Sequence, residues 1–296
     1  MAKKYSKELE ELIISQYNSG ISPYKMVKSI PELYGKRPSV IYGVLKRNNI
    51  KSHKEFPLTD EQRLNRRKYN VNDNYFEIID NEHKAYWLGF IYADGYITSV
   101  EDKVGLSLSD NDKEHLNKFK TDVQFSGPIN TYKVGETGYN DKTVYSRIII
   151  TSRKMKNDLK KLGVSEHKTD ILKFPSSDQV PHKYLKDFIR GYIDGDGSIT
   201  HNTRQKSGIW NYCIKIVGTL DMIENIQKFL NTNLKLEQRY PDRNKNNYQI
   251  TIGGNQQVKR ILDTLYSNAT IFLDRKYNRY KQFLSSMVNA TESHRE

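Results

Sequence analysis

The feature that most constrains this chain is a repeat. Residues Ala85-Tyr86-Trp87-Leu88-Gly89-Phe90-Ile91-Tyr92-Ala93-Asp94-Gly95-Tyr96-Ile97-Thr98 return, 102 residues later, as Asp187-Phe188-Ile189-Arg190-Gly191-Tyr192-Ile193-Asp194-Gly195-Asp196-Gly197-Ser198-Ile199-Thr200. Internal similarity of this kind means that one supersecondary unit is built twice. The pattern runs on beyond the segment. Each copy is followed by a strand-like stretch, 103–109 or 211–217, and then by a helix opened by Asp112 or Asp221. Two more strands follow, near 128–134 and 143–151 in the first copy and near 235–240 and 247–252 in the second. A helix, 152–162 or 255–265, and a basic segment, His167-Lys168-Thr169 or Arg275-Lys276-Tyr277, close each copy. The prediction is an α+β fold of two αββαββα-like units that fill most of residues 76–290.

Within the repeated helix, Ala85, Gly89 and Ala93 stand four apart and share a face, as do Asp187, Gly191 and Gly195. Small residues there let two helices touch backbone to backbone. Glycine costs a helix ~0.5–1 kcal/mol relative to alanine, and close packing offsets that loss. Gly95 and Gly197 are expected to stop the helices in the left-handed conformation. Just before them stand Asp94 and Asp196, each at the negative end of a helix dipole. Two such ends side by side repel, and a divalent cation between them removes the conflict. Oxygen ligands, the carboxylates of Asp94 and Asp196 with the carbonyls of Gly95 and Gly197, suit Mg²⁺, with Mn²⁺ as a substitute. Carboxylates paired in this way fit metal-assisted phosphodiester hydrolysis. The run Asp194-Gly195-Asp196-Gly197-Ser198-Ile199 mimics the middle of an EF-hand loop. In that register Tyr192 and Thr203 fall where the first and last ligands belong, so an EF-hand is excluded.

Charge narrows the partner. Lys and Arg number 48 against 35 Asp and Glu, a net +13, which favours nucleic acid. No apolar run reaches the ~18 residues of a membrane span, so no membrane is expected. The single Cys213 excludes a disulfide framework and makes a cytoplasmic, reducing home the expectation. The excess is concentrated at the N-terminus, where residues 1–54 carry a net +7. There Leu9, Leu12, Ile13 and Tyr17 mark one helix face, and Gly20 ends that helix. Ser22-Pro23 opens a second helix with Met26, Val27 and Ile30 inward, and Pro38 opens a third with Ile41, Val44 and Leu45 inward. Three short helices over 1–54 fit a helix-turn-helix whose third helix enters a major groove. Ser39, Tyr42, Lys46 and Arg47, on its outer face, are the candidate DNA contacts. Residues 55–75, with Arg63, Arg66, Arg67 and Lys68, read as a basic linker, and 291–296 as a tail.

Through Trp87-Leu88-Gly89-Phe90-Ile91-Tyr92-Ala93-Asp94-Gly95 and Ile189-Arg190-Gly191-Tyr192-Ile193-Asp194-Gly195-Asp196-Gly197, the chain resembles the LAGLIDADG homing endonucleases over about residues 76–290. The resemblance implies a monomer whose halves, 76–176 and 177–290, form a saddle over double-stranded DNA. It implies an Mg²⁺-dependent endonuclease that breaks both strands at a long asymmetric site. Asp94 and Asp196 are then the metal ligands. Lys168 and Lys276 stand where many members place a basic residue near the scissile phosphates, to polarise water or stabilise developing charge. The earlier motif aspartate of the family survives as Asp194 but is Tyr92 in the first copy.

The strand patterns agree with a one-sided saddle. Val104, Leu106 and Leu108 alternate with Lys103, Ser107 and Ser109. Ser146, Ile148 and Ile150 alternate with Tyr145, Arg147 and Ile149, and Tyr248, Ile250 and Ile252 with Asn247, Gln249 and Thr251. Such alternation puts one face in the core and one outside. Lys103, Ser107, Ser109, Tyr145, Arg147, Lys215, Arg239, Asn247, Gln249 and Thr251 are accordingly candidate DNA contacts. The resemblance implies intron or intein homing, in a prokaryote or phage in preference to an organelle. Two other functions compete: a non-catalytic DNA-binding regulator on the same scaffold, and an intron RNA maturase. Retention of both aspartates argues against the regulator, because binding alone does not need carboxylates beside phosphates.

Overall fold

Helices α1 (Lys7–Asn18), α2 (Pro23–Ser29) and α3 (Ser39–Arg47) form around a cluster of Ile13, Tyr17, Met26, Val27, Ile30, Leu33, Ile41, Val44 and Leu45. Ser6 and Ser22 cap the first two, their hydroxyls accepting from the N–H groups of Leu9 and Lys25. Gly20, at φ +81°, makes the turn between them. Leu12, expected inward, is 44% exposed. Ile13 and Tyr17, with Leu9 beside them, already fill the narrow stripe that three short helices can cover. The short turn of this unit lies between α1 and α2. Between α2 and α3 the chain is longer and holds a 3₁₀ turn, Pro31–Leu33.

The computed structural model describes residues 5–51, 67–133, 144–166, 168–203, 210–230, 237–238 and 248–292. It comprises two compact units, Met1–Arg67 and Lys68–Glu296. Residues 68–75, predicted as the end of the linker, belong to the second unit. Tyr75 is buried in its core, Tyr69 and Val71 pack against that core, and Asn70 and Ser126 exchange hydrogen bonds. Residues 55–66 of the predicted linker, with 52–54 before them, lie outside the described residues.

The second unit repeats one element order. Helix α4 (Glu82–Asp94) leads to β1 (Gly95–Ile97), β2 (Lys103–Ser109), α5 (Lys113–Asp122), β3 (Asn130–Lys133), β4 (Val144–Thr151) and α6 (Arg153–Lys161). Helix α7 (Leu185–Asp196) leads to β5 (Ser198–Thr203), β6 (Trp210–Gly218), α8 (Leu220–Phe229), β7 (Glu237–Gln238), β8 (Tyr248–Gly253) and α9 (Asn255–Tyr266). Helix α10 (Asp274–Glu292) follows and takes in the first residues of the expected tail. The antiparallel sheets share one order, β1-β2-β4-β3 and β5-β6-β8-β7. The alternation holds. Val104, Leu106, Leu108, Ile148, Ile150, Ile250 and Ile252 are buried, while Arg147, Lys215 and Thr251 are exposed on the opposite faces.

Two local expectations change. Gly95 and Gly197 are extended, at φ −79° and −88°, not left-handed. Each helix leads directly into a strand, so the chain has no turn to make there. Glycine is needed instead for space, because a Cβ at Gly95 would lie 2.7 Å from Ile91 Cγ2 and one at Gly197 2.6 Å from Ile193 O. Helix α8 is capped by Thr219, whose hydroxyl accepts from Met222 N–H. Asp221 instead accepts from Phe174 N–H at 2.6 Å and anchors the segment that follows Lys168.

Candidate active site between the motif helices

Helices α4 and α7 meet through their glycines. A methyl group on Gly89 would overlap the Phe188 carbonyl oxygen and come within 2.9 Å of Tyr192 N. On Gly191 it would overlap the Tyr86 carbonyl oxygen and come within 2.9 Å of Phe90 N. The predicted small-residue faces are therefore in backbone contact. The C-terminal ends converge as well. The space beside Gly195 is closed by Ala93 Cβ, and Asp94 Oδ2 lies 3.3 Å from where a Gly195 Cβ would stand. The first carboxylate thus reaches the last turn of the other helix. Asp94 is half-buried and Asp196 exposed. Burial pushes the Asp94 carboxyl above its ordinary pKa, while Lys168, Lys276 and Arg275 pull it back.

Both predicted lysines arrive at this point. Lys168 Nζ donates to the carbonyls of Ile91, Tyr92 and Ala93 at 2.7, 2.7 and 2.6 Å. Lys276 Nζ donates to those of Ile193, Asp194 and Gly197 at 2.6, 2.6 and 2.7 Å, with Gly195 O at 3.4 Å. These carbonyls lie at the helix C-termini, where those of Ile91 and Ile193 also accept from the Gly95 and Gly197 N–H groups, and a cation there complements the dipole. Burial brings both ammonium groups down to about 8, with Asp94 and Asp196 opposing the shift at each. An ammonium has three hydrogens, and at Lys168 all three are engaged by backbone. In this arrangement the lysines hold the helix ends and lend positive charge to the carboxylates.

A divalent cation fits these residues. The donor set is two carboxylates at adjoining helix ends, beside lysines whose ammonium groups are committed to backbone carbonyls. Among the described residues no three His, Cys, Asp or Glu side chains gather as a cage. A site of two carboxylates suits Mg²⁺, which keeps several waters and takes substrate phosphate oxygens as ligands. Asp94 and Asp196 are the residues that could supply its carboxylate ligands. The Gly197 carbonyl, named as a further ligand, already carries the Lys276 ammonium, and a second cation on that oxygen would be repelled.

The aspartate without a counterpart in the first copy has a different part. Asp194 is fully buried and accepts from Tyr86 OH at 2.8 Å, Tyr266 OH at 2.6 Å and Leu273 N–H at 2.8 Å. It ties the two halves together from within the core. Its earlier place in the motif already set it apart from the metal ligands, but its partners, on three other segments, were not legible in the sequence.

The predicted DNA contacts divide into three groups. Ser39, Tyr42 and Lys46 are exposed along α3, but Arg47 donates to Glu10 at 2.6 Å and ties α3 to α1. On the outer face of the first sheet, Lys103 pairs with Glu101 at 2.6 Å, Ser107 Oγ lies 2.8 Å from Tyr132 OH, and Ser109, Tyr145 and Arg147 are at least partly exposed. On the second sheet, Lys215, Gln249 and Thr251 share a face through the pairings Lys215↔Thr251 and Val217↔Gln249. Arg239 and Asn247 lie outside the described residues. Tyr132, beneath Arg147, was missed; only the register Tyr132↔Tyr145 brings it there.

A pseudo-symmetric pair of αββαββα units, joined at glycine-bearing helices that end in carboxylates, defines a recognisable class. A profile described as the LAGLIDADG-like domain matches residues 81–163 and again residues 183–266. The chain belongs to this family, with the domain in two copies. No curated protein matches the chain. Several solved structures are similar to the chain at low identity. The I-LtrWI LAGLIDADG homing endonuclease bound to target DNA is 14% identical, covering 75% of this chain and 93% of its own, at a TM-score of 0.48. The I-AabMI meganuclease bound to uncleaved DNA is 15% identical over 73% of this chain and 93% of its own, at 0.47. The I-SmaMI homing endonuclease bound to cleaved DNA is 15% identical over 73% and 91%, at 0.46.

Proposed function

We propose that this protein is a site-specific DNA endonuclease that breaks both strands at a long asymmetric target, and that it serves as a homing endonuclease. The observation that carries the reading is the pair of carboxylate-tipped helix ends, Asp94 against Gly195 and Asp196 opposite, each beside a buried lysine. A bound Mg²⁺ supplies Lewis-acid polarisation of the phosphodiester and a more acidic water. Asp94 and Asp196 hold the ion. Lys168 and Lys276 keep the helix ends in place and stabilise the negative charge that develops on the phosphate. The outer sheet faces meet the duplex, and both halves lie in one chain, so a monomer suffices. Residues 1–54 act as a helix-turn-helix on flanking DNA through Ser39, Tyr42 and Lys46.

The test is incubation with a duplex library of randomised sites and Mg²⁺, followed by sequencing of cut ends. Cutting should persist with Mn²⁺ and stop in EDTA, while binding survives in Ca²⁺. Asp94→Asn and Asp196→Asn should each abolish double-strand cleavage and leave affinity essentially unchanged. Full cutting by both single variants would refute the site. Specific binding without any cutting would favour the regulator.

A further inference from the structure

On the outer face of the first sheet one arginine is stacked on a ring, and among the described residues nothing engages its side-chain donors. Arg147 stands in β4, an interior strand, paired with Ser107 on one side and Asn130 on the other. Its guanidinium carbon lies 4.8 Å from the centre of the Tyr132 ring. That ring is itself held. It stacks on Tyr145 at 6.0 Å and 26°, and its hydroxyl is 2.8 Å from Ser107 Oγ. Among the described residues Arg147 has no hydrogen-bond or ion-pair partner. Every other described arginine of the doubled unit has one: Arg153 on Asp102, Arg190 on Glu82 and Asp187, Arg260 on the Leu230 carbonyl, Arg275 on Asp112 and Arg279 on His201.

An exposed arginine ordinarily samples many rotamers or finds a carboxylate. Face-on stacking restricts the guanidinium without engaging its N–H groups. The result is a planar donor fork, preorganised and open, rising from the middle of a sheet. It suits two acceptors in one plane. On the floor of a major groove the O6 and N7 of guanine are that pair, and arginine is their commonest partner. The counterpart strand of the other half carries Gln249 at the equivalent register, opposite Val217 as Arg147 is opposite Ser107. The fork therefore belongs to one half only.

We propose that Arg147, stacked on Tyr132, reads a single guanine in one half of the target site. The inference rests on the DNA reading above. Its test is selection of duplexes from a randomised library by the full chain in Ca²⁺, so that binding is scored without cutting. Wild-type sites should share a guanine at one position of one half. Arg147→Ala should lower that preference about tenfold and leave every other position unchanged. Arg147→Lys, which keeps the charge but not the fork, should lower it as well, and Tyr132→Leu should lower it in part. If both Arg147 variants keep the wild-type preferences, and Arg147→Ala only weakens all sites alike with a salt slope shallower by about 1, the residue contacts phosphate and the inference fails. In that case the DNA reading stands. Failure of the wild type to select any duplex would overturn both.

Discussion

The first motif helix is apolar throughout its buried length, whereas the second is wired with charge. Helix α4 buries Ala85, Tyr86, Trp87, Leu88, Phe90, Ile91 and Tyr92, and the Tyr92 hydroxyl donates to the Leu162 carbonyl. Helix α7 buries Asp187, Arg190 and Asp194 at the positions of Ala85, Leu88 and Tyr92. Arg190, 1% exposed, donates to Asp187, Glu82 and the carbonyls of Leu265 and Ile271 at 2.7–2.9 Å. The glycines at 89 and 191, by contrast, make the same contact in both directions. The backbone contact is thus held alike, while the side chains around it diverge. The charged wiring is tolerable in a core because each group in it is satisfied. It also crosses between halves, through Glu82 to Arg190 and Tyr86 to Asp194.

If the glycine contact is the shared element, its removal should be equally severe from either side. Gly89→Ala and Gly191→Ala should each cost about 4 kcal/mol or more, or prevent folding, because the added methyl meets backbone that cannot move aside. Urea unfolding measures this. A variant tolerated on one side only would show that the two helices do not depend on each other equally.

The wiring should break only in the second half. Arg190→Leu installs the residue the first copy has at Leu88, and it leaves the buried Asp187 and the half-buried Glu82 without their cation. The expected loss is about 3 kcal/mol in the same unfolding measurement. A neutral outcome would mean that the ionic network is dispensable and that the halves are interchangeable at this position.

The first half has a polar burial of its own in His115, 1% exposed. Tyr86 OH donates to Asp194, so it accepts from His115 Nε2 at 2.9 Å, and His115 Nδ1 has no partner among the described residues. Burial holds this imidazole down to about 3, helped by the charges of Lys118, Arg275 and Lys276. Unfolded, it titrates near 6.5. Between those values the unfolded chain takes up a proton that the folded chain refuses. Its contribution is therefore full above pH 6.5 and falls as the pH drops towards 3. From pH 7 to pH 5 the loss should be about 2 kcal/mol, and His115→Gln should flatten that part of the stability profile. An unchanged slope would place the proton elsewhere.

Much of the scaffold was legible because its signals are local. Alternation along 103–109 and 143–151 anticipated β2 and β4 within a residue, and the four-residue spacing of small side chains anticipated which faces of α4 and α7 meet. The conformation of Gly95 and Gly197 was not legible, because a helix-ending glycine serves left-handed turns and close approaches alike. Leu12 and the linker end at 68–75 went astray for a related reason. Periodicity reports which residues are apolar, not how much surface the neighbouring elements can cover.

The sequence by itself determined that two like units exist, that their first helices pack through glycines, and that Asp94 and Asp196 terminate them. Repetition, period and spacing are properties of the chain, and they survive without coordinates. Only the tertiary structure decided where the charges act. Lys168 reaches carbonyls 75–77 residues away, Asp194 finds hydroxyls 72 and 108 residues away, and Arg147 acquires its ring from the neighbouring strand. The physical reason is the range of the interactions. Backbone preference is set within a few residues, whereas a buried ion or an aromatic stack takes its partners from whatever segments the packed core brings beside it.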